Sequence, residues 1–214
     1  MTSFKKIPQI TLGVLKKIRF YFYKIKTSAT LGRVNKINIG SGNTPLPEYC
    51  GIDKYYKADL VLDLSKSLLP FKNNSIDAAI CISAINYFKR ERGEEIIKDV
   101  YRVLKRGGVA RFGVQDLKAI AKKYTANDTT FFFQKLPNGR DRFKGGETMC
   151  DKINCWFYGY GGGKYMYDYE TLSILFRKAG FQTVEQKNYR ESVLENIDMI
   201  DNRPDQMFFL EAIK

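Results

Sequence analysis

Apolar residues recur along this chain in two rhythms. From Val14 to Ile25 the residues Val14, Leu15, Ile18, Tyr21, Phe22 and Ile25 fall at helical spacing on one face, with Lys16, Lys17, Arg19, Lys24 and Lys26 around the other sides. From residue 36 onward short strand-like runs take over: Lys36–Ile39, Tyr49–Asp53 and Asp59–Leu64. Ile76–Ile82 is almost continuously apolar, as expected of a central strand buried on both faces. Ile96, Ile97, Val100, Tyr101 and Leu104 mark a helix, with Lys105-Arg106 and Gly107-Gly108 where a helix C-terminus favours cations and glycine. Val109–Val114 reads as a strand and Leu117–Tyr124 as a helix entered through Asp116. Asp168 caps a helix that turns Leu172, Leu175, Phe176 and Ala179 inward and stops at Gly180. Phe181–Gln186 and Met207–Ile213 supply the last two strands. Seven strands interleaved with helices predict an α/β domain over residues 36–214, preceded by a basic amphipathic arm over residues 1–35.

The first strand runs into Gly40-Ser41-Gly42, and a second short run ends in Asp53. Strand, glycine turn, strand and carboxylate is a recurring way for the carboxyl edge of an α/β sheet to hold a nucleoside-containing cofactor. Glycine lets the backbone turn tightly with no Cβ in the way, and a carboxylate can accept hydrogen bonds from two ribose hydroxyls. A dinucleotide-binding unit would put its third glycine where Pro45 stands and its acid about 20 residues on, whereas Asp53 follows Gly42 by only 11 positions. Thr44-Pro45-Leu46-Pro47 leaves room for at most a turn or two of crossover helix, which weighs against NAD and FAD.

Composition narrows the chemistry. The chain has 214 residues and no histidine, which removes Ser-His-Asp and Cys-His catalysis and makes a tetrahedral Cys/His zinc site improbable; no metal is expected. Four cysteines without a Cys-x-x-Cys spacing suit a reducing, cytoplasmic setting. Net charge is +13, yet nine basic side chains and no acid precede Glu48, so the remainder is close to balance and nucleic acid is a less favoured partner. The arm has two readings: docking on an anionic membrane surface through residues 14–26, or packing of its apolar stripe on the domain or on a second copy. No run approaches the roughly 20 apolar residues of a membrane span.

Residues 127–167 break the alternation with Phe131-Phe132-Phe133, Trp156-Phe157-Tyr158 and several glycines. An aromatic, glycine-rich insertion at the carboxyl edge is expected to be a substrate lid, or a loop whose aromatics anchor it to the core.

In order and spacing, the segments from Ile37 to Lys214 resemble a class I S-adenosylmethionine-dependent methyltransferase, and most of all the small branch found among polysaccharide-biosynthesis genes. The matching stretches are Ile39-Gly40-Ser41-Gly42, Gly51-Ile52-Asp53, Asp63-Leu64, Leu69-Pro70-Phe71-Lys72-Asn73-Asn74-Ser75-Ile76-Asp77, Arg102-Val103-Leu104-Lys105-Arg106-Gly107-Gly108 and Gln115-Asp116-Leu117. Later ones are Tyr167-Asp168-Tyr169-Glu170-Thr171-Leu172 and Ala179-Gly180-Phe181. The resemblance implies a Rossmann-like fold: a mostly parallel seven-stranded sheet, an antiparallel last strand, and helices on both faces. It also implies that Gly40, Ser41 and Gly42 line the methionine part of S-adenosylmethionine, that Asp53 binds the ribose, that Asp63 and Leu64 meet the adenine, and that Ser83 lies beside the sulfonium. The chain departs from the pattern in three places. Ser83-Ala84-Ile85-Asn86-Tyr87 replaces a histidine-rich segment, Lys164 replaces a histidine, and Gln115 replaces a proline.

The resulting expectation is methyl transfer to a hydroxyl of a small-molecule or saccharide acceptor. Asp116 is the candidate general base, with N-capping of the next helix as its alternative. Trp156, Tyr165 and Tyr167 are candidates for stacking on a sugar ring, or else core residues. Two other functions stay open: a methyltransferase fold that binds with little or no turnover, and an RNA methyltransferase using the basic arm.

Overall fold

A computed structural model describes residues 31–43, 45–55, 57–159 and 162–214. The amphipathic stretch 14–26 lies outside the described residues. The chain divides into two units after Val34, and the larger of them, residues 35–214, holds the sheet.

Seven strands form one sheet: β1 (Lys36–Ile39), β2 (Cys50–Asp53), β3 (Leu60–Val61), β4 (Ile76–Ile82), β5 (Leu104–Gln115), β6 (Thr183–Lys187) and β7 (Met207–Ile213). Their order is β3-β2-β1-β4-β5-β7-β6. The pairings from β3 through β5 are parallel, and β7 runs antiparallel to both β5 and β6. The helices are α1 (Arg90–Val103), α2 (Leu117–Thr125), α3 (Thr129–Phe132), α4 (Met149–Asn154), α5 (Tyr169–Ala179) and α6 (Ile197–Ile200). This is the Rossmann-like arrangement that the sequence predicts, with β7 as the antiparallel last strand.

Adjacent residues of β5 show how the two faces are covered, because successive side chains of a strand point to opposite sides. Phe112 meets Phe176 of α5 edge-on, with ring centroids 4.9 Å apart. Arg111 goes the other way, fully buried, and its guanidinium pairs with Asp201 at the end of α6 (Nη2 to Oδ2, 2.6 Å). It also donates to the carbonyls of Glu191 and Asn188 and lies 3.5 Å from Glu211 of β7. Segment 188–201 is thereby clamped onto the sheet by one cation. Ile200 completes that face by packing with Tyr49, Ala78 and Ile80.

Several elements differ from their predicted bounds, β5 most of all, since it begins at Leu104 rather than Val109. The third strand is only Leu60–Val61, because it is the sheet edge with a partner on one side; Asp63 therefore sits in the loop beyond it. Helix α1 ends at Val103 rather than running to the glycines, since Leu104 is fully buried and already pairs with Ile76 in the sheet. Gly107 and Gly108 form an irregularity within β5, where the register slips between Ile76 and Ala78. The sixth strand begins two residues late, at Thr183.

The segment 127–167 builds a small core of its own. Phe131, Phe132 and Phe143 are buried with Ile120 of α2, and Met149, Ile153 and Trp156 pack against them. Thr148 and Asp151 form a reciprocal capping box that starts α4. Lys152 is buried, its ammonium held by Asp141 and the carbonyl of Phe143. Phe131, Phe132, Phe143 and Trp156 thus anchor the segment, while Phe133 and Tyr158 stay exposed.

Candidate functional site

The carboxyl ends of β1, β2 and β4 and the loop after β3 open into one cleft of about 500 Å³. Gly40, Gly42, Asp53, Asp63, Leu64 and Ser83 line it together with Ile52, Lys54, Tyr55, Leu62, Ser65, Ala84, Tyr87, Phe88, Lys164 and Arg203. Six of the seven residues expected to contact a cofactor thus meet in one cavity, although up to 43 positions separate them in sequence.

The first wall is set by the glycine turn. The amides of Gly40 and Ser41 both donate to the carbonyl of Ile52 (2.8 and 3.2 Å), which binds the end of β1 to β2. Gly40 has φ +71°, and a Cβ there would lie 2.3 Å from Cβ of Ala84, so only glycine fits. The Asp53 carboxylate accepts from the amide of Gly42 at 2.9 Å and from that of Tyr55 at 3.2 Å. Each carboxylate oxygen uses one lone pair and keeps capacity for a ligand hydroxyl. Ser41 is absent from the lining; its side chain packs over Gly51, where an added Cβ would stand 2.9 Å from its Oγ.

Asp63 accepts from the amide and hydroxyl of Ser65 at 3.0 and 2.6 Å. These bonds, the hydroxyl's first, hold its pKa below the ordinary carboxylate value. With Ile52, Leu62, Leu64 and Phe88 beside it, this end of the cleft offers an apolar slot edged by two carboxylates.

The opposite wall belongs to β4. Ser83, just past that strand, holds a left-handed backbone (φ +59°), and its amide donates to the carbonyl of Gly113. Its hydroxyl accepts from Gln115 Nε2 at 2.5 Å and from Arg203 Nη1 at 3.3 Å. Tyr87 lies on the same side; burial raises its phenol pKa, with Arg203 pulling partly back. Lys164 is tied there through its amide, which donates to the carbonyl of Asn86 at 2.8 Å.

The remaining candidates lie outside the lining. Asp116 is the N-cap of α2: its Oδ1 accepts from the amide of Ala119 at 3.1 Å, and its own amide donates to Gln206. Tyr167 cannot stack on a ligand as placed, because it is fully buried, with its ring 4.8 Å from that of Tyr165. Burial drives its phenol pKa up, and its hydroxyl lacks a partner among the described residues. Tyr165 is half-buried against it, and Trp156 belongs to the Phe131–Phe143 core. Cys81 is likewise buried, its thiol pushed up to about 12, and no cluster fit for a metal occurs among the described residues.

Arg203, Lys54, Tyr55 and Phe88 line the cleft without any signal in the sequence. Arg203 follows Ser83 by 120 positions, so no local pattern could join them.

Residues 41–112 match a family model described as a methyltransferase domain. The chain is also similar to two solved structures. One is an S-adenosylmethionine-dependent methyltransferase from Mesorhizobium loti, at 15% identity over 86% of this chain and 92% of that one, with a TM-score of 0.52. The other, from Archaeoglobus fulgidus, shares 15% identity over 92% of this chain and 94% of its own, with a TM-score of 0.54. No curated protein matches the sequence. The fold is that of the S-adenosylmethionine-dependent methyltransferases. The matched segment marks a methyltransferase domain, and both solved structures that share the fold are S-adenosylmethionine-dependent methyltransferases.

Proposed function

We propose that this enzyme methylates a hydroxyl oxygen of a sugar or polysaccharide-related acceptor. The observation that carries the cofactor half of this reading is Asp53, which faces the cleft with both oxygens fixed by backbone amides. A cleft of about 500 Å³ is of a size for a nucleoside-based ligand. Asp53 would grip the ribose hydroxyls, and Ile52, Leu62 and Leu64 would enclose the adenine with Asp63 at its edge. Gly40 and Gly42 would floor the amino-acid portion, and Ser83 would stand near the sulfur. When bound, S-adenosylmethionine would supply an electrophilic methyl group for an acceptor oxygen, with the carbon–sulfur electron pair left on sulfur and the hydroxyl proton passed to water. The chain's own work is alignment and partial exclusion of water. Asp116 serves this function as the cap that starts α2, its carboxylate already engaged by Ala119. The polysaccharide assignment draws on the series of motifs that runs from Ile39 to Phe181.

Calorimetric titration with S-adenosylhomocysteine tests the cofactor site. The wild type is expected to bind and Asp53→Ala to lose at least about tenfold in affinity, the scale of one charge-assisted hydrogen-bond pair. Equal binding by both proteins would remove Asp53 from the site. Radiolabelled methyl transfer to a panel of oligosaccharides tests the acceptor, and labelling confined to RNA would overturn it.

For the arm we propose peripheral docking on anionic membranes in the cytoplasm, supported by its apolar stripe and its five cations between residues 16 and 26. Replacing Lys16, Lys17, Arg19 and Lys24 with Glu is expected to abolish co-sedimentation with phosphatidylglycerol vesicles. Unchanged sedimentation of that variant would refute the proposal. Among the described residues no helix is long and apolar enough to cross a membrane.

A further inference from the structure

The β4 side of the cleft carries cations alone, while the β2 and β3 side carries two carboxylates and Lys54. Asp53 closes β2 and Asp63 follows β3, whereas Arg203 and Lys164 stand against the segment that leaves β4. In the sheet, β1 lies between β2 and β4. At about 4.8 Å per strand the two walls are roughly 10 Å apart. That is far enough for one wall to serve a ribose and the other a different part of the bound species.

No carboxylate neutralises either cation. Among the described residues Arg203 and Lys164 form no ion pair, and the residues outside that set include no Asp or Glu. Both are exposed at the cleft, whereas the domain's buried and half-buried cations Arg111, Lys152 and Arg102 pair with Asp201, Asp141 and Asp99.

Arg203 is also placed at a cost. Its backbone is left-handed (φ +53°), a conformation unfavourable for a side chain of this size. Two residues earlier Asp201 is locked to the buried Arg111 and to the amide of Arg190 (2.8 Å). Three residues later the amide of Gln206 closes a turn onto the Arg203 carbonyl. The guanidinium then reaches Ser83. A clamped turn and a left-handed residue thus hold an exposed guanidinium without an ion pair at the cleft wall, against Ser83.

We infer that Arg203 and Lys164 form an anion site for the acceptor, so that the substrate is an acidic sugar bearing a carboxylate or phosphate near the hydroxyl to be methylated. This rests on the methyltransferase reading and adds the substrate's charge to it. A planar guanidinium can engage two oxygens of either group, with the ammonium as a second point charge. The cofactor's amino-acid end carries its own ammonium beside its carboxylate and is net neutral, so it leaves the charge of the two cations unbalanced. Its sulfonium adds a further positive charge, which an anionic acceptor balances.

The experiment is calorimetry on the full chain saturated with S-adenosylhomocysteine, titrated with glucuronate, glucose 6-phosphate or glucose. At least one of the two anions is expected to bind and glucose to bind at least about tenfold more weakly, as for loss of a charge-assisted pair. Which anion binds tells carboxylate from phosphate. Arg203→Ala and Lys164→Ala are each expected to weaken anion binding about tenfold, while leaving affinity for S-adenosylhomocysteine within about twofold of wild type. The inference is overturned if glucose binds as well as the anions, if neither anion binds, or if Arg203→Ala loses S-adenosylhomocysteine instead. A wild type that fails to bind S-adenosylhomocysteine at all would defeat the methyltransferase reading itself, and this inference with it.

Discussion

Gly40 and Asp116 carry opposite lessons at the scale of single residues. A methyl group added at Gly40 would occupy the space of Ala84 in a backbone region hostile to L side chains. Gly40→Ala is therefore expected to cost about 2–4 kcal/mol from strain and overpacking together, read as a lower urea midpoint, and to weaken S-adenosylhomocysteine binding. Asp116 looks catalytic by position, yet it lies outside the cleft lining and its Oδ1 caps α2. Asp116→Ala should lower stability by about 1 kcal/mol, the usual worth of an N-cap, and Asp116→Asn should restore it; turnover should survive in both. A hundredfold fall in kcat in Asp116→Asn with stability intact would return the residue to the chemistry. The glycine turn and Asp53 were legible because their chemistry is local: a tight turn and a carboxylate 11 positions on. Arg203 was not, because its relation to Ser83 exists only after the chain has folded back across the sheet.

Among the elements, strands were easier to foresee than their ends. β4 announced itself by an unbroken apolar run, and α5 by Asp168 at one end and Gly180 in a left-handed conformation at the other. The junction of α1 and β5 misled because a Lys-Arg-Gly-Gly series suits a helix stop equally well, and only pairing of Leu104 with Ile76 decides it. β3 ended early because edge position is a property of the sheet, invisible in the strand's own residues. The Asp168 cap offers a pH test. Bonds from Thr171, side chain first and amide second, hold its carboxylate pKa below the usual value. A depressed folded-state pKa means the stabilisation is complete above the unfolded value near 4 and disappears as pH falls through the lower folded value. Compared with Asp168→Asn, which caps without titrating, the wild type should lose its advantage as pH is taken from above about 4 to below it. Thermal melts across that range check it; a gap that stays constant with pH would count against the cap's ionised form.

For the molecule as a whole, the cluster around Arg111 matters most. It joins β5, β7 and segment 188–201 through one buried guanidinium that also lies over the ring of Phe209, 5.1 Å from its centroid. Removing the cation alone leaves Asp201 and Glu211 buried without it, so Arg111→Ala should destabilise by about 3–5 kcal/mol. Arg111→Met combined with Asp201→Leu should recover much of this in chemical denaturation, yet still weaken anion binding at the cleft, since the turn bearing Arg203 loses its tether. Recovery of both stability and anion affinity would show that the clamp does not position the turn. The cluster has a further consequence for a chain made from its amino end. Strands β1 to β3 and Asp53 are synthesised within the first third of the sequence, but the partners of Arg111 lie 77 to 100 positions further on. On the ribosome, the nucleoside half of the cleft can take shape long before its cationic wall exists, and the growing polypeptide gains the means to choose an acceptor only as its final strand emerges.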